Sequence, residues 1–178
     1  MESTKFCMPP DDLIGRLARQ IDATKRAEQF TVNAEDVTAL RRRGAVALYA
    51  TCAEFVATVN SRLSSGLLEL SPPAFPAEAF RESGTNLFQI SSQGRQMQIT
   101  FEAPEQLVST EKFLIPYVLE GEVRTYNQQM LDHFEIRSRA LFFCLEQDNA
   151  IWRFYDWRTR HTGPVGRDLL ASLMESLF

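Results

Sequence analysis

Hydrophobic positions in the first third of the chain recur every three or four residues, which is the period of an α-helix. After Pro9-Pro10, the first apolar stripe comprises Leu13, Ile14, Leu17, Ala18 and Ile21. The second stripe, the strongest periodicity in the chain, comprises Val37, Leu40, Gly44, Leu48, Cys52, Phe55, Val59 and Leu63. The pattern predicts two amphipathic helices, and the second runs from Asn33, a residue suited to capping the first turn, to about Leu63.

The second predicted helix is long for the chain. At 1.5 Å per residue it spans roughly 45 Å, whereas a compact domain of this length has a diameter of about 40 Å. Either the helix bends near Gly44, after the run Arg41-Arg42-Arg43, or its protruding part packs on another chain. Alanines at positions 45, 47, 50 and 53 broaden its apolar surface. We therefore expect self-association through this helix.

From about residue 65 the helical period is lost. Ser64-Ser65-Gly66, followed by Pro72, Pro73 and Pro76, predicts a proline-rich linker over about 65–80. Beyond it, apolar and polar residues alternate with the period of a β-strand. Residues 87–90 and 96–101 predict a hairpin around Gln93-Gly94 that has one apolar and one polar face.

Two further hairpins are predicted. Residues 112–119 and 122–129 would pair through a turn at Glu120-Gly121, because glycine accepts positive φ, and Pro116 marks an edge position or a bulge. Residues 134–146 and 150–157 would pair across residues 147–149. Both faces of the stretch 141–145 are apolar, which predicts a central strand buried on both sides.

The chain closes with another amphipathic pattern. Gly163-Pro164 would open a helix whose apolar positions are Leu169, Leu170, Leu173, Met174 and Leu177. The predicted fold is α+β, with an N-terminal helix pair, an antiparallel meander of five or six strands, and a C-terminal helix packed on the sheet. We interpret residues 1–178 as a single domain with a helical part at about 10–64 and a sheet plus C-terminal helix at about 85–178.

The composition narrows the class of protein. Acidic residues outnumber basic ones by 23 to 19, and the net charge of −4 offers no long-range attraction to nucleic acid or to an anionic membrane. Neither a signal peptide nor a run of about 18 apolar residues is present. Cys7, Cys52 and Cys144 are odd in number and far apart, as expected of free thiols in a reducing compartment. We therefore expect a cytoplasmic protein without a membrane segment.

The segment from Trp152 to Pro164 is the best local candidate for a binding site. It would deliver Arg158, Arg160 and His161 to a helix N-terminus at Gly163, where free amides and two arginines favour a small anion such as phosphate or a carboxylate. The competing interpretation is structural: the aromatic residues of this segment belong to the core, and the arginines form a solvated strand end.

Two weaker candidates have simpler structural interpretations. Arg41-Arg42-Arg43, together with the basic residues of the preceding helix, could form a nucleic-acid patch, but such runs are usually a solvated helix face. His133 and Glu135 could form a metal or acid/base pair, or simply a surface turn. The chain lacks Gly-rich phosphate loops, nucleophile elbows and the His-Glu-x-x-His pattern. The sequence thus predicts no catalytic residue, metal or cofactor.

Two functions compete at this point. The first is a non-enzymatic protein-interaction module, an adaptor, chaperone-like or regulatory protein that binds through its long amphipathic helix and a sheet edge. The alternative is a small-molecule or anion-binding domain, or an enzyme of unrecognised type, with a pocket near Arg153, Arg158, Arg160 and His161. An enclosed polar cavity would favour the alternative, and a solid core with an apolar outer patch would favour the interaction module.

Overall fold

The computed structural model of the chain describes residues 10–30, 34–105, 115–146 and 149–178. The α-helices in these ranges are α1 (Pro10–Phe30), α2 (Ala34–Asn60), α3 (Gln128–Asp132) and α4 (Arg167–Glu175), with a short 3₁₀ turn at Ala77–Ala79. The strands are β1 (Glu69–Ser71), β2 (Asn86–Ser92), β3 (Arg95–Glu102), β4 (Tyr117–Tyr126), β5 (Arg137–Glu146), β6 (Asn149–Tyr155) and β7 (Thr162–Pro164).

The strands form one antiparallel sheet whose order follows the chain from β1 to β7. This confirms the predicted α+β meander with helices before and after it. The sheet has seven strands instead of five or six. The additional edge strands β1 and β7 have three residues each, too few for an alternating pattern to be visible in the sequence.

The centre of the sheet differs from the prediction. The hairpin predicted at Glu120-Gly121 is wrong, because β4 runs without a break through both residues. Gly121 instead pairs with Phe101 on β3, and a Cβ on Gly121 would lie 2.7 Å from the Cβ of Phe101. The glycine therefore permits a close approach of two strands. Pro116, predicted to lie inside a strand at an edge position or a bulge, instead immediately precedes β4, and the register shifts just beyond it, between Tyr117 and Leu119. Residues 112–114 lie outside the described ranges.

The predicted hairpin of the two long strands is confirmed as β5 and β6, although β5 begins at Arg137 rather than at residue 134. Residues 141–145 are all buried. Leu141, Phe143 and Leu145 join the main core beneath the helices, whereas Phe142 and Cys144 pack on the opposite, outer face of the sheet. The strand is thus covered on both sides as expected. Residues 147 and 148 of the connecting turn lie outside the described ranges.

Helix α2 packs against the inner face of the sheet. Leu40, Leu48, Cys52 and Phe55 from the predicted stripe are all buried in the main core. The helix is continuous through Gly44, and the capping residue predicted at Asn33 lies outside the described ranges. The protein's own sheet therefore covers most of the apolar stripe that suggested an intermolecular contact, while Leu63 beyond the end of the helix is exposed.

The segment predicted as a linker is also packed. It contributes β1 to the sheet, and the ring of Phe75 lies 4.8 Å from that of Phe88 and 5.8 Å from that of Tyr49. The side-chain amide of Asn60 bonds both to the backbone N–H of Leu68, at 2.8 Å, and to its carbonyl oxygen, at 2.9 Å. These contacts tie the segment to the end of α2.

The start of the last helix is corrected by the structure. Gly163 and Pro164 belong to β7, and α4 begins at Arg167 behind Gly166. A Cβ on Gly163 would lie 3.0 Å from the ring of Phe154, so the glycine allows β7 to pair closely with β6. Pro164 fits because an edge strand has one side without ladder partners.

Candidate functional site

The turn between β6 and β7 contains most of the residues predicted to bind an anion. Arg158, Arg160 and His161 are exposed on it, Arg160 has a φ of 58°, and the ring of His161 lies 5.4 Å from that of Phe154. Gly163 is buried in β7. The turn therefore leads into a strand, and the N-terminus of α4 begins further along the chain.

Asp156 occupies the inside of this turn. Its carboxylate accepts a hydrogen bond from the N–H of Arg158 at 2.9 Å, and its carbonyl oxygen accepts one from the N–H of Arg160 at 2.8 Å. Burial tends to raise the pKa of the Asp156 carboxyl, but hydrogen bonds from Arg158 and Thr159, together with the charge of Arg139, 3.2 Å away, lower it overall. The backbone amides of Arg158 and Arg160 are thus already bonded within the protein. Anion binding at this turn stays a prediction.

Arg153, the remaining residue of the predicted pocket, lies on β6 and pairs with Glu146 across the β5–β6 hairpin. The hydrogen bond with Glu146, set against the opposing effect of burial, raises the pKa of the Arg153 guanidinium. Arg153 therefore forms an ion pair across the hairpin. It lies on the strand itself, and not on the turn that carries Arg158 and Arg160.

The three consecutive arginines of α2 have different roles. The guanidinium of Arg41 is largely buried, donates to the carbonyl oxygens of Val118, at 3.0 Å, and Pro104, at 2.8 Å, and pairs with Glu82. Arg42 and Arg43 are exposed. Arg41 therefore joins α2 to the sheet, and only Arg42 and Arg43 of the three arginines remain exposed for the predicted basic patch.

The candidate metal residues His133 and Glu135 lie in the segment between α3 and β5. His133 ends α3, and both His133 and Glu135 are exposed before β5 begins. Within the described ranges, no three His, Cys, Asp or Glu side chains lie close enough to hold a metal ion. Burial raises the pKa of the Cys52 and Cys144 thiols to about 12, which makes both poor nucleophiles at neutral pH.

An open cleft of about 480 Å³ lies on the outer face of the sheet, where β3, β4 and β5 meet. The residues that line it include three carboxylates, Glu102, Glu120 and Glu122. They also include the aromatic residues Phe142 and Trp157. The carboxylates make the cleft negative, so it does not suit the anion predicted from the sequence.

Protein groups already bind two of these carboxylates. The hydroxyl of Tyr117 donates to Glu120 at 2.9 Å, and Arg124 pairs with Glu122. Burial and the bond to Glu120 raise the pKa of the Tyr117 phenol, so it stays a hydrogen-bond donor at neutral pH. None of Arg153, Arg158, Arg160 and His161 lines the cleft.

An exposed apolar surface, here called the α1 stripe, lies on α1. It comprises Leu13, Ile14, Leu17 and Ile21, which are between 47% and 68% exposed. Their spacing places them on one face of the helix, and no element within the described ranges covers them. The helix has four acidic and four basic residues among its remaining positions. It is therefore amphipathic without a net charge.

A second apolar surface, here called the α2–α4 groove, is an open groove of about 370 Å³ between the end of α2 and α4. Its principal apolar residues are Phe55, Val59, Leu63, Leu67, Met174 and Phe178. Leu63, Leu67 and Phe178 are 43%, 55% and 71% exposed. The guanidinium of Arg95 lies 4.2 Å from the centre of the Phe178 ring and holds that ring at the rim.

No protein-family model, curated protein or solved structure matches the chain.

The sequence pattern indicated the α1 stripe but not its exposure. A stripe at helical spacing is equally compatible with a buried helix, and only the surroundings of α1 distinguish the two. The α2–α4 groove is assembled from residues far apart in sequence, so no local pattern could have revealed it. The same is true of the outer cleft.

Proposed function

We propose that this protein is a non-enzymatic protein-binding module, of the adaptor, chaperone-like or regulatory kind, and that its principal contact surface is the α1 stripe. The observation that carries the proposal is the exposure of four large aliphatic side chains, between 47% and 68%, on one helix face. Contiguous exposed apolar surface of this kind is typical of protein interaction sites.

The contact surface differs from the one expected from the sequence. Most of the α2 stripe, including Leu40, Leu48 and Cys52, is buried against the sheet. The edge strands β1 and β7 have three residues each, and β7 ends in Pro164. Short edges and proline hinder the addition of a foreign strand. This leaves α1, rather than α2 or a sheet edge, as the element best suited to bind a partner.

The charges on α1 favour a protein over a lipid surface. Amphipathic helices that bind anionic membranes concentrate Lys and Arg on the polar face, whereas α1 has equal numbers of acidic and basic residues. Within the described ranges, no helix combines the length and apolarity that crossing a bilayer requires. A partner that offers an apolar groove with a mixed polar rim fits α1 best.

Site-specific photo-crosslinking tests the proposal. A photoreactive amino acid replaces Leu17 in the stripe or, as the control, Arg19, which lies on the opposite side of the helix. We expect a discrete protein adduct from position 17 alone, and unlabelled wild-type chain should compete with it more strongly than a Leu17→Asp, Ile21→Asp variant. Equal labelling from both positions, or no adduct, would overturn the proposal.

A further inference from the structure

The cleft on the outer face of the sheet combines aromatic rings with carboxylates. Phe142 and Trp157 line it together with Glu102, Glu120 and Glu122. Within the described ranges, no Lys, Arg or His side chain lines it. Rings and carboxylates both attract cations, the rings through their quadrupole and the carboxylates through their charge. The chemistry of the lining therefore suits a cation.

The register of the strands brings two of the carboxylates face to face. Glu102 on β3 is the direct cross-strand neighbour of Glu120 on β4, and such neighbours have Cβ atoms roughly 5 Å apart. No ion pair among the described residues neutralises either carboxylate. Like charges in this position repel each other and destabilise a sheet. A cation bound between the two carboxylates relieves that repulsion.

The smaller outer cluster holds both rings of the cleft in place. The ring of Phe142 packs on that of Tyr117, with centroids 4.7 Å apart, and the ring of Trp157 meets that of Tyr155 edge-on at 4.8 Å. The hydroxyl of Tyr117 also donates to Glu120 at 2.9 Å. Both tyrosines are buried, whereas Trp157 is 47% exposed and accessible to a ligand. Groups held in position in this way lose little freedom when a ligand binds.

Small side chains leave space beside these groups. Thr100 and Ala140 are the cross-strand neighbours of Glu122 on its two sides, and all three residues line the cleft. The cleft has a volume of about 480 Å³ and is open to solvent. A small-molecule site normally encloses most of its ligand, whereas an open cleft covers only part of what it binds. This shape favours a side chain presented by a macromolecule over a free small cation.

We propose that the cleft binds an arginine side chain presented by a protein partner. The guanidinium of arginine is planar, stacks on aromatic rings and forms bidentate hydrogen bonds with carboxylates, whereas the ammonium of lysine is a strongly hydrated point charge. The cleft offers both kinds of contact, with Phe142 and Trp157 for stacking and Glu102 and Glu120 for hydrogen bonds. The net charge of −4 adds long-range attraction for a basic partner. This second binding surface shares no residue with the α1 stripe and goes beyond the proposed function.

NMR titration of the nitrogen-15-labelled chain tests the proposal. The probe is the peptide acetyl-Gly-Ser-Arg-Gly-Ser-amide, and its control has citrulline, which resembles arginine in shape but has no charge. The indole N–H signal of Trp157, assigned with a Trp157→Phe variant, should shift with the arginine peptide alone. The signal of Trp152, whose indole donates to Gly44 on the inner face, should not shift. No shift of the Trp157 signal up to tens of millimolar peptide, or an equal shift with the citrulline peptide, would overturn the proposal.

Charge-matched variants locate the site. Glu102→Gln with Glu120→Gln should raise the dissociation constant of the arginine peptide by roughly tenfold or more, because two charge-assisted bonds are lost, while glutamine at position 120 still accepts from Tyr117. Glu69→Gln with Glu78→Gln removes the same charge from exposed positions outside the cleft and should have little effect. Equal losses from the two double variants would mean that the peptide senses only the overall charge, and would overturn the site.

Two further variants separate the alternatives. Lys112, on the connection between β3 and β4, lies outside the described ranges. Peptide binding that appears only in a Lys112→Gln variant would show that the chain fills the cleft itself and would overturn the proposal. Leu17→Asp with Ile21→Asp should bind the peptide as the wild type does, which tests the cleft independently of the α1 stripe. Loss of binding in that variant would place the site on α1 and overturn the cleft.

Discussion

Gly44 sets the distance between α2 and the sheet. Its carbonyl oxygen accepts a hydrogen bond of 2.7 Å from the indole N–H of Trp152, and a Cβ at this position would lie 2.5 Å from Cδ1 of Phe143. Glycine inside a helix costs about 1 kcal/mol relative to alanine. Here it allows two aromatic side chains of the sheet to contact the helix backbone directly.

We predict that Gly44→Ala destabilises the protein by about 1–3 kcal/mol, because overpacking against Phe143 outweighs the better helix propensity of alanine. Urea denaturation measures the effect. Gly15→Ala in α1 is the matched control, since its Cβ would meet only the end of Arg19, at 3.8 Å, and should cause no loss.

A double-mutant cycle identifies the contact responsible. Phe143→Ala alone should cost roughly 3–5 kcal/mol, but the added Cβ at Gly44 then has space. The double variant should therefore be less destabilised than the sum of the two single variants. Strict additivity would mean that the ring of Phe143 does not restrict position 44.

At the scale of elements, α1 and α2 show that the same helical spacing of apolar residues occurs in an exposed and in a buried helix. Both helices have apolar residues at helical spacing. Leu48 of α2 is fully buried under the sheet, whereas Leu17 of α1 is 56% exposed. The buried part of the α2 stripe stabilises the fold, whereas the α1 stripe is exposed.

A matched pair of leucine substitutions measures this difference. Leu48→Ala should lower the free energy of unfolding by about 2–5 kcal/mol, because it leaves a cavity in the main core. Leu17→Ala should change it by less than about 0.5 kcal/mol. A comparable loss from both would show that α1 packs on its own domain in solution.

At the scale of the whole molecule, both faces of the sheet carry buried side chains. The main core beneath α2 and α4 includes Cys52, and the smaller outer cluster includes Tyr117, Phe142, Cys144 and Tyr155. Burial raises the pKa of both thiols from 9.0 to about 12 and raises the pKa of the Tyr117 phenol as well. The folded protein therefore retains protons that the unfolded chain would release in alkali.

We predict a loss of stability above pH 9. The folded state binds the two thiol protons more tightly than the unfolded state does, so the free energy of unfolding falls as pH rises from 9 toward 12, by roughly 2 kcal/mol per thiol at pH 10.5. Urea midpoints between pH 7 and pH 10.5 measure the slope. Cys52→Ala should flatten it, and a slope that this variant does not change would contradict the assignment.

The sequence by itself determined which segments are helical and which are extended. Side-chain spacing reports directly whether a segment is helical or extended, so α1, α2, the β2–β3 hairpin, the β5–β6 hairpin and the two-sided burial of residues 141–145 followed from local pattern. Composition likewise determined the absence of a net positive charge. These properties depend on neighbours along the chain and on little else.

The tertiary structure alone decided which faces are covered. Gly121 was predicted to form a turn because glycine permits both a turn and a close approach of strands, and only the position of β3 selects between them. Arg41 and Arg42 are adjacent and chemically identical, yet only Arg41 meets the carbonyl oxygens of Val118 and Pro104. The α2–α4 groove exists because Phe55, Leu67 and Met174 meet across more than a hundred residues. Burial and contact are properties of packing between distant segments, and a local pattern does not encode them.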